Sequence, residues 1–194
     1  MEQVTLTGRF VTLVAPDQSH LAGLQEAAAD GELWKLFYTS VSKPEEMQAW
    51  LDNVIDLQTK NEARTFIVLE NFSGKVVGTT RYCNLDLANR RLEIGYTWYA
   101  KRAQRTAINT ECKFLLLRHA FEQLKCIAVE FRTSWHNQPS QRAIERLGAK
   151  RDGLLRNHKI MPNGTVRDTV VYSILNTEWR AVEENLRFKL DRPC

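Results

Sequence analysis

The middle of the sequence changes its hydrophobic period twice, and this restricts how its strands can pair. The segments 90–99 ("RRLEIGYTWY") and 127–134 ("IAVEFRTS") are rich in β-branched and aromatic residues, as strands are. Between them apolar residues recur at intervals of four from Cys112 to Leu124, which predicts a helix that begins near Thr106. A strand, a crossover helix and a second strand form a parallel pair, so the centre of the fold is predicted to be a parallel unit.

The N-terminal half is predicted to add antiparallel strands and two helices. "RFVTLVAP" alternates and ends at a proline, so it predicts a first strand. Asp17 or Ser19 can cap a helix that runs to about Ala29, and Pro44 opens a second helix. "ARTFIVLE", "GKVVGTTRYC" and "RRLEIGYTWY" are separated by short polar turns and predict a three-stranded antiparallel meander.

The C-terminal part completes the fold. "SQRAIERLG" predicts a helix that ends at Gly148, "GLLRNHKIM" and "TVRDTVVYSIL" a closing hairpin, and "TEWRAVEENLRFKL" a last helix. The expected class is α+β in α/β/α layers, with a mixed, mostly antiparallel sheet of about seven strands and helices on both faces. No repeat or Pro/Ser-rich linker divides the chain, so residues 1–194 are expected to form a single domain.

Composition excludes several classes of protein. A chain with 43% hydrophobic residues is too apolar for disorder, yet no segment approaches the length of a membrane span, so we expect a cytoplasmic protein with no membrane partner. The net charge of +4 arises from 27 cations against 23 anions, and it suits a phosphorylated small ligand as well as nucleic acid. No histidine pair or Cys-x-x-Cys has metal-ligand spacing, so no metal is expected. The cysteines are predicted to be buried thiols: Cys83, Cys112, Cys126 and Cys194.

The turn "QRTAIN" (104–109) lies where a strand leads into the start of a helix. The first N–H groups of a helix have no internal partner and carry the positive end of the helix dipole, so they can hold an anion. Thr106 can cap this helix, and small Ala107 lets a ligand approach the backbone. Lys101, Arg102 and Arg105 add cations for a phosphate. A plain strand-to-helix connection with solvated cations is an equally good interpretation of the turn alone.

Three motifs together resemble the GNAT superfamily of acyl-CoA-dependent N-acetyltransferases. Gln104, Ala107 and Asn109 correspond to its Gln/Arg-x-x-Gly-x-Gly/Ala signature, although Ala and Asn stand where the family usually has glycine and a small residue. Glu93 precedes Gln104 by eleven residues, where several members place a catalytic glutamate. A later motif matches at Asn137, Ser140, Ala143, Ile144, Leu147 and Gly148. The segment "NQPSQRAIERLGAKRDGLLR" and the "DTVVYSIL" strand resemble the branch of the ribosomal-protein N-terminal acetyltransferases.

The resemblance implies a GNAT-like fold and a transfer of acetyl from acetyl-CoA to a primary amine, which is a small molecule or a peptide, in a ternary complex. It implies Glu93 as the base, acting directly or through water, and Ser140 as the donor to the leaving thiolate, with Tyr172 as the alternative. It also implies a homodimer as one assembly. The implied cofactor-binding residues are Thr97, Trp98, Gln104, Arg105, Thr106, Ala107, Ile108, Asn109 and Asn137.

Acyl transfer to an amine requires a base and an oxyanion donor, whatever the protein family. Amines are largely protonated at neutral pH, and only the neutral form attacks a thioester, so a base is needed. The oxyanion that forms needs a fixed N–H donor, here expected on Thr97 or Trp98. Glu93 could instead lie in solvent or pair with Arg90 or Arg91. Ser140 could cap its own helix, and Asn137 could make a loop turn rather than bind the pantetheine amides.

The sequence leaves open the roles of four aromatic residues and Asp168, and it allows an alternative function. Four aromatic residues could line an acceptor pocket but are more often core: Trp34, Phe37, Tyr38 and Trp50. Asp168 could meet the acceptor amine or pair with an arginine. The alternative function is an acyl-CoA-binding module with little or no turnover. A nucleic-acid binder is disfavoured, because anions match the cations along the chain.

Overall fold

The structure is a computed structural model that describes residues 4–161 and 163–192. Its strands are β1 (Leu6–Thr7), β2 (Val11–Val14), β3 (Arg64–Glu70), β4 (Val76–Asp86), β5 (Arg91–Tyr99), β6 (Ala128–Ser134), β7 (Lys150–Ile160) and β8 (Val166–Leu175). Its α-helices are α1 (Leu21–Ala29), α2 (Met47–Thr59), α3 (Ala107–Arg118), α4 (Gln138–Leu147) and α5 (Trp179–Asp191). Within those ranges, no helix combines the length and the apolar character that crossing a bilayer requires.

The strands form one mixed sheet in the order β1-β2-β3-β4-β5-β6-β8-β7. Strands β5 and β6 are the parallel pair, joined by α3, and the other pairs are antiparallel. The predicted fold class and the central crossover unit are therefore confirmed. The sheet has eight strands where about seven were expected, because β1 is only two residues long and leaves no alternating pattern in the sequence.

Two helix starts refine the sequence prediction. Asp17 rather than Ser19 is the N-terminal cap, since its carboxylate accepts from the Ser19 N–H and opens a short 3-10 turn before α1. Helix α4 begins at Gln138, two residues before the predicted start, because Asn137 caps it and Pro139 fits its first turn. The predicted stop at Gly148 is confirmed, and its φ of 103° is the left-handed conformation that favours glycine.

The sheet separates two apolar cores, as helices on both faces require. Adjacent residues of β3 show this clearly: Ile67 packs with α1 and α2, whereas Phe66 packs with Tyr82 on the side of α3 and α5. Successive side chains of a strand point to opposite faces, so each strand serves both cores. The Tyr82 hydroxyl donates to the Leu116 carbonyl and so connects β4 to α3.

Glu111 of α3 anchors the β1–β2 turn. Its buried carboxylate accepts from the N–H groups of Arg9, Phe10 and Val11 at 2.8, 2.6 and 2.8 Å. Gly8 is required there, because a Cβ would lie 2.5 Å from the carboxylate carbon. The hairpin therefore depends on a contact some hundred residues distant in sequence.

We expect Glu111→Gln to lower the free energy of unfolding by about 2 kcal/mol, because a neutral amide satisfies these three donors less well than a carboxylate. Urea unfolding of both proteins measures the change. Glu26→Gln, which removes an exposed ion pair with Lys75, is the control and should lower the free energy of unfolding far less. Equal effects of the two substitutions would contradict the anchoring role.

A candidate active site where two strands part

The parallel pair separates soon after it begins. In the described chain, the pairing of β5 with β6 covers only Arg91↔Ala128, Leu92↔Val129 and Glu93↔Glu130. Beyond Glu93, β5 stays paired with β4, and β6 follows β8 up to Ser134. A cleft therefore opens between two strands, and its apex lies at Glu93.

Glu93 is buried, although it is a charged residue, with 7% of its surface exposed. Its Oε2 atom accepts from Asn84 Nδ2 at 2.7 Å and lies 3.5 Å from Arg132 Nε. Burial raises the pKa of Glu93, and the hydrogen bond from Asn84 and the charge of Arg132 offset this only in part. A carboxylate with a raised pKa beside a cleft is suited to accept a proton.

The interpretation in which the Glu93 carboxylate lies in solvent is wrong, because the residue is buried. The arginine beside it is Arg132, whereas Arg91 pairs with Glu130. Close beside Glu93 on β5 is Gly95, where a Cβ would stand 2.9 Å from Glu93 Oε1. The missing side chain at Gly95 therefore leaves the space that the carboxylate fills.

We expect Gly95→Ala to lower about tenfold the rate of any reaction in which Glu93 accepts a proton, with little change in stability. The methyl group would push the carboxylate of Glu93 aside, and small misplacements of a reacting group are costly. Steady-state kinetics and thermal unfolding measure the two quantities. Gly153→Ala, at a glycine of β7 with open space around it, is the matched control. Unchanged kcat in Gly95→Ala would contradict the packing argument.

A bulge interrupts β5 just beyond the apex. The register with β4 shifts between Thr79↔Trp98 and Arg81↔Gly95, and Tyr96 has a φ of 50°. The Trp98 side chain packs into the core with α1 and α2, so this residue can offer the cleft only its backbone. The Thr97 hydroxyl lies within hydrogen-bond distance of Lys113, a buried residue that sequence reasoning missed.

The turn that was predicted to hold phosphate has the features of an anion site. Thr106 accepts from the Ile108 N–H and caps α3, as predicted, and Arg105 has a left-handed φ of 61°. Ala107 and Asn109 both lie inside the first turn of α3, where glycine's freedom is not needed. Ile108 is buried and can contribute only its backbone. The Gln104 amide donates to the Tyr99 carbonyl and ties the turn to β5.

A cavity of about 460 Å³ lies beside this turn. It is lined by the start of α3, the β1–β2 turn and the ends of α4 and α5, and its cations are Arg9, Arg105, Arg146, Lys189 and Arg192. Only Arg105 was expected, because the others come from segments far apart in sequence. Arg102 was predicted to face a phosphate but pairs with Asp30 and the Val76 carbonyl instead. Asp191 is the one acidic residue among those that line the cavity in the described chain.

Helix α4 begins shortly after the end of β6. Asn137 Oδ1 accepts from the Ser140 N–H, so the helix cap is Asn137 and not Ser140. In the described chain, no residue hydrogen-bonds the Ser140 hydroxyl. The Tyr172 hydroxyl donates to Glu145 at 3.0 Å, and burial raises the pKa of Tyr172 to about 12. Of the two candidates for thiolate protonation, Tyr172 is engaged in a hydrogen bond within the described chain and the Ser140 hydroxyl is not.

The segment between α1 and α2 reaches across to the start of α4. Phe37 is 56% exposed, and its ring centroid lies 5.7 Å from that of His136. Trp34 and Trp50 pack against the core of α1 and α2, which favours the core interpretation for these two. Asp168 pairs with Arg156 at 2.8 Å, so the arginine partner predicted as one alternative is present.

The cysteines inside the described ranges are buried free thiols, as expected: Cys83, Cys112 and Cys126. Cys194 lies outside the described residues. The same ranges contain no cluster of three or more His, Cys, Asp or Glu arranged to hold a metal ion.

Comparisons with known proteins identify the family of this chain. A family model described as the acetyltransferase (GNAT) domain matches residues 11–150. YdaF of Bacillus subtilis, named provisionally as a ribosomal N-acetyltransferase, is 35% identical over 108 residues, which are 56% of this chain and 58% of YdaF. The match thus spans little more than half the length of that relative. Its name agrees with the predicted resemblance to the ribosomal-protein branch.

Solved structures extend the likeness to nearly the whole chain. A GCN5-related N-acetyltransferase from Brucella melitensis is 30% identical with a TM-score of 0.88, over 98% of this chain and 86% of that one. A protein from T. thermophilus, described provisionally as an acetyltransferase, is 33% identical with a TM-score of 0.85, over 98% of both chains. The family model alone covers well over half of the 194 residues, and the chain therefore belongs to the GNAT family of acetyltransferases.

Proposed function

We propose that this acetyltransferase moves an acetyl group from acetyl-CoA to a primary amine by direct attack in a ternary complex. The observation that carries the proposal is the position of Glu93, a buried carboxylate with a raised pKa at the point where β5 and β6 part. The proposal includes a single N-acetyltransferase domain over residues 1–194. It assigns Glu93 and Ser140 to the chemistry.

The phosphates of acetyl-CoA would lie at the start of α3. The capped helix start and the cavity rich in cations support this assignment. The backbone of the turn and of β5 would hold the cofactor, with the side-chain amide Nδ2 of Asn137 left free by the cap to donate to pantetheine. The assigned residues are Thr97, Trp98, Gln104, Arg105, Thr106, Ala107, Ile108, Asn109 and Asn137.

In the proposed reaction Glu93 takes a proton from the incoming ammonium, directly or through a water, and the neutral nitrogen attacks the thioester carbonyl. A backbone N–H at Thr97 or Trp98 stabilises the oxyanion. The attacking nitrogen then loses its second proton, the C–S bond breaks, and Ser140 relays a proton to the leaving thiolate, so that CoA leaves as the free thiol. The Ser140 hydroxyl, which has no hydrogen-bond partner among the described residues, supports this role.

The acceptor class proposed first is a protein N-terminus, and a small-molecule amine is the alternative. The name of YdaF supports a ribosomal protein as acceptor, and the exposed Phe37 beside His136 offers an apolar surface to an extended peptide. We further propose a cytoplasmic location and a homodimer, which cell fractionation and analytical ultracentrifugation test.

Free thiol release tests the proposal. Purified protein with acetyl-CoA and an amine panel, including peptides with free N-termini, should liberate CoA, and mass spectrometry should find the acceptor about 42 mass units heavier, the mass of an added acetyl group less one proton. Isothermal titration with acetyl-CoA alone separates the alternatives. Binding without transfer to any amine would favour the module with little turnover, and neither binding nor transfer would sink the proposal.

A further inference from the structure

A lysine is buried beneath the bulge of β5. Lys113 of α3 is 5% exposed, and its Nζ donates to the hydroxyls of Thr97 at 2.6 Å and Thr80 at 3.1 Å. These two hydroxyls are 2.8 Å apart, so the three groups form a closed triangle. Lys113 thus connects α3 to β4 and β5 at the place where β5 leaves its parallel neighbour.

Lys113 has no carboxylate partner in the described chain. The titratable groups that act on its ammonium are the thiols Cys112 and Cys83, and burial holds each of their pKa values at about 12, so both are neutral at physiological pH. Burial lowers the pKa of Lys113 to about 8. An unpaired buried cation is costly, and an apolar residue of similar volume often serves stability as well or better. Stability alone therefore gives no reason for a lysine at this position.

Lys113 and Glu93 lie on opposite faces of the sheet. Glu93 lies beside Gly95 and Cys83, whereas Thr80 and Tyr82 alternate with Cys83 along β4, and Tyr82 contacts α3. The sheet therefore separates the buried carboxylate from the buried ammonium, and they do not neutralise each other. The two charged groups therefore face different layers of the fold.

We propose that Lys113 is a positioning residue for the electrophile: through Thr97 it fixes the bulge of β5, and its charge lies under the acyl carbonyl and favours the oxyanion. The inference rests on the proposed function, since it needs acetyl-CoA bound along β5. A preorganised positive group near developing negative charge raises kcat more than it raises cofactor affinity.

The first test replaces Lys113 by Met, which has similar volume and no charge. We expect kcat to fall about 10- to 30-fold, with the acetyl-CoA dissociation constant unchanged within about twofold and a melting temperature no lower than that of the unsubstituted protein. The Thr80–Thr97 hydrogen bond can persist in the variant. Lys60→Met, which removes an exposed lysine paired with Asp56, is the control and should leave kcat unchanged.

The second test reads the carbonyl itself. Infrared difference spectra of bound acetyl-CoA labelled with ¹³C at the thioester carbonyl should show a lower stretching frequency in the unsubstituted protein than in Lys113→Met. A purely structural lysine would not move this band. If the variant does not fold, the unsubstituted complex still decides, because the band should move to higher frequency as the pH rises through the pKa of Lys113.

Equal kcat and equal bands in the two folded proteins would overturn the inference and leave the proposed function intact. A band that is insensitive to pH between about 7 and 10, the range in which a lysine with a lowered pKa loses its proton, would overturn it as well. Failure of the unsubstituted protein to bind acetyl-CoA or release thiol would overturn both proposals together.

Discussion

Glu93→Gln is expected to lower kcat for acetyl transfer about 1000-fold while the acetyl-CoA dissociation constant stays within about twofold. The amide retains the shape of the carboxylate and can still accept from Asn84, so packing is preserved. It cannot take a proton, and removal of a positioned base costs about 10²- to 10⁴-fold. Stopped-flow thiol detection measures the rate, and isothermal titration measures the affinity.

The pH dependence gives a second signature of Glu93. The base must be ionised, so kcat should rise with pH through the pKa of Glu93, which burial raises from its ordinary value. The acceptor amine also titrates, and two acceptors of different amine pKa separate the contributions. The limb that stays in place for both acceptors belongs to Glu93, and it should be absent in Glu93→Gln.

Linkage also fixes the sign of the stability effect. A carboxyl whose folded-state pKa is raised contributes stability below its unfolded-state pKa and loses that contribution as the pH rises through the folded-state pKa. At neutral pH the ionised Glu93 is therefore a cost to folding, and Glu93→Gln should not lower the melting temperature.

Glu130→Gln, at the register partner on β6, is the control and should retain most of the rate. A destabilised Glu93→Gln, or one with full kcat, would contradict the assignment.

Local sequence patterns were sufficient for the elements that depend on local chemistry. The helix stop at Gly148 and the Thr106 cap of α3 follow from backbone conformations that single residues determine. The parallel unit follows from the length of the crossover between β5 and β6. Strand β1 escaped prediction because its turn is held by Glu111, a contact that lies far away in sequence.

The residues of the candidate site also fall into those that a local motif predicts and those that depend on distant segments. Glu93 and the 104–109 turn could be found by their motifs, but the other cations of the cavity come from the β1–β2 turn and the ends of α4 and α5 and share no motif. Lys113 gave no signal, because a lysine on an amphipathic helix is usually solvated and its burial depends on Thr80 and Thr97. Arg102 shows the opposite error, since proximity in sequence to the turn did not determine the direction of its side chain.

Ala107→Asp is expected to weaken acetyl-CoA binding at least about 100-fold without destabilising the fold. Ala107 is the first residue of α3 and lines the cationic cavity, and the first turn of the helix contains no acidic residue. A carboxylate at this position complements the helix dipole and stabilises an isolated helix start by about 0.3–1 kcal/mol. The same charge opposes the phosphates of the cofactor, and like charges in contact cost several kcal/mol.

The two opposite effects of Ala107→Asp make the measurement decisive. Isothermal titration should show the loss of affinity for acetyl-CoA, and thermal unfolding should show an equal or higher melting temperature. Acetyl-pantetheine, which lacks the pyrophosphate, should react equally with Ala107→Asp and with the neutral control Ala107→Ser, because the added charge then has nothing to repel. If acetyl-CoA binds both variants equally, the phosphates lie elsewhere, and the assignment of the 104–109 turn fails. If acetyl-pantetheine is affected as strongly as acetyl-CoA, the substitution acts by shape rather than by charge.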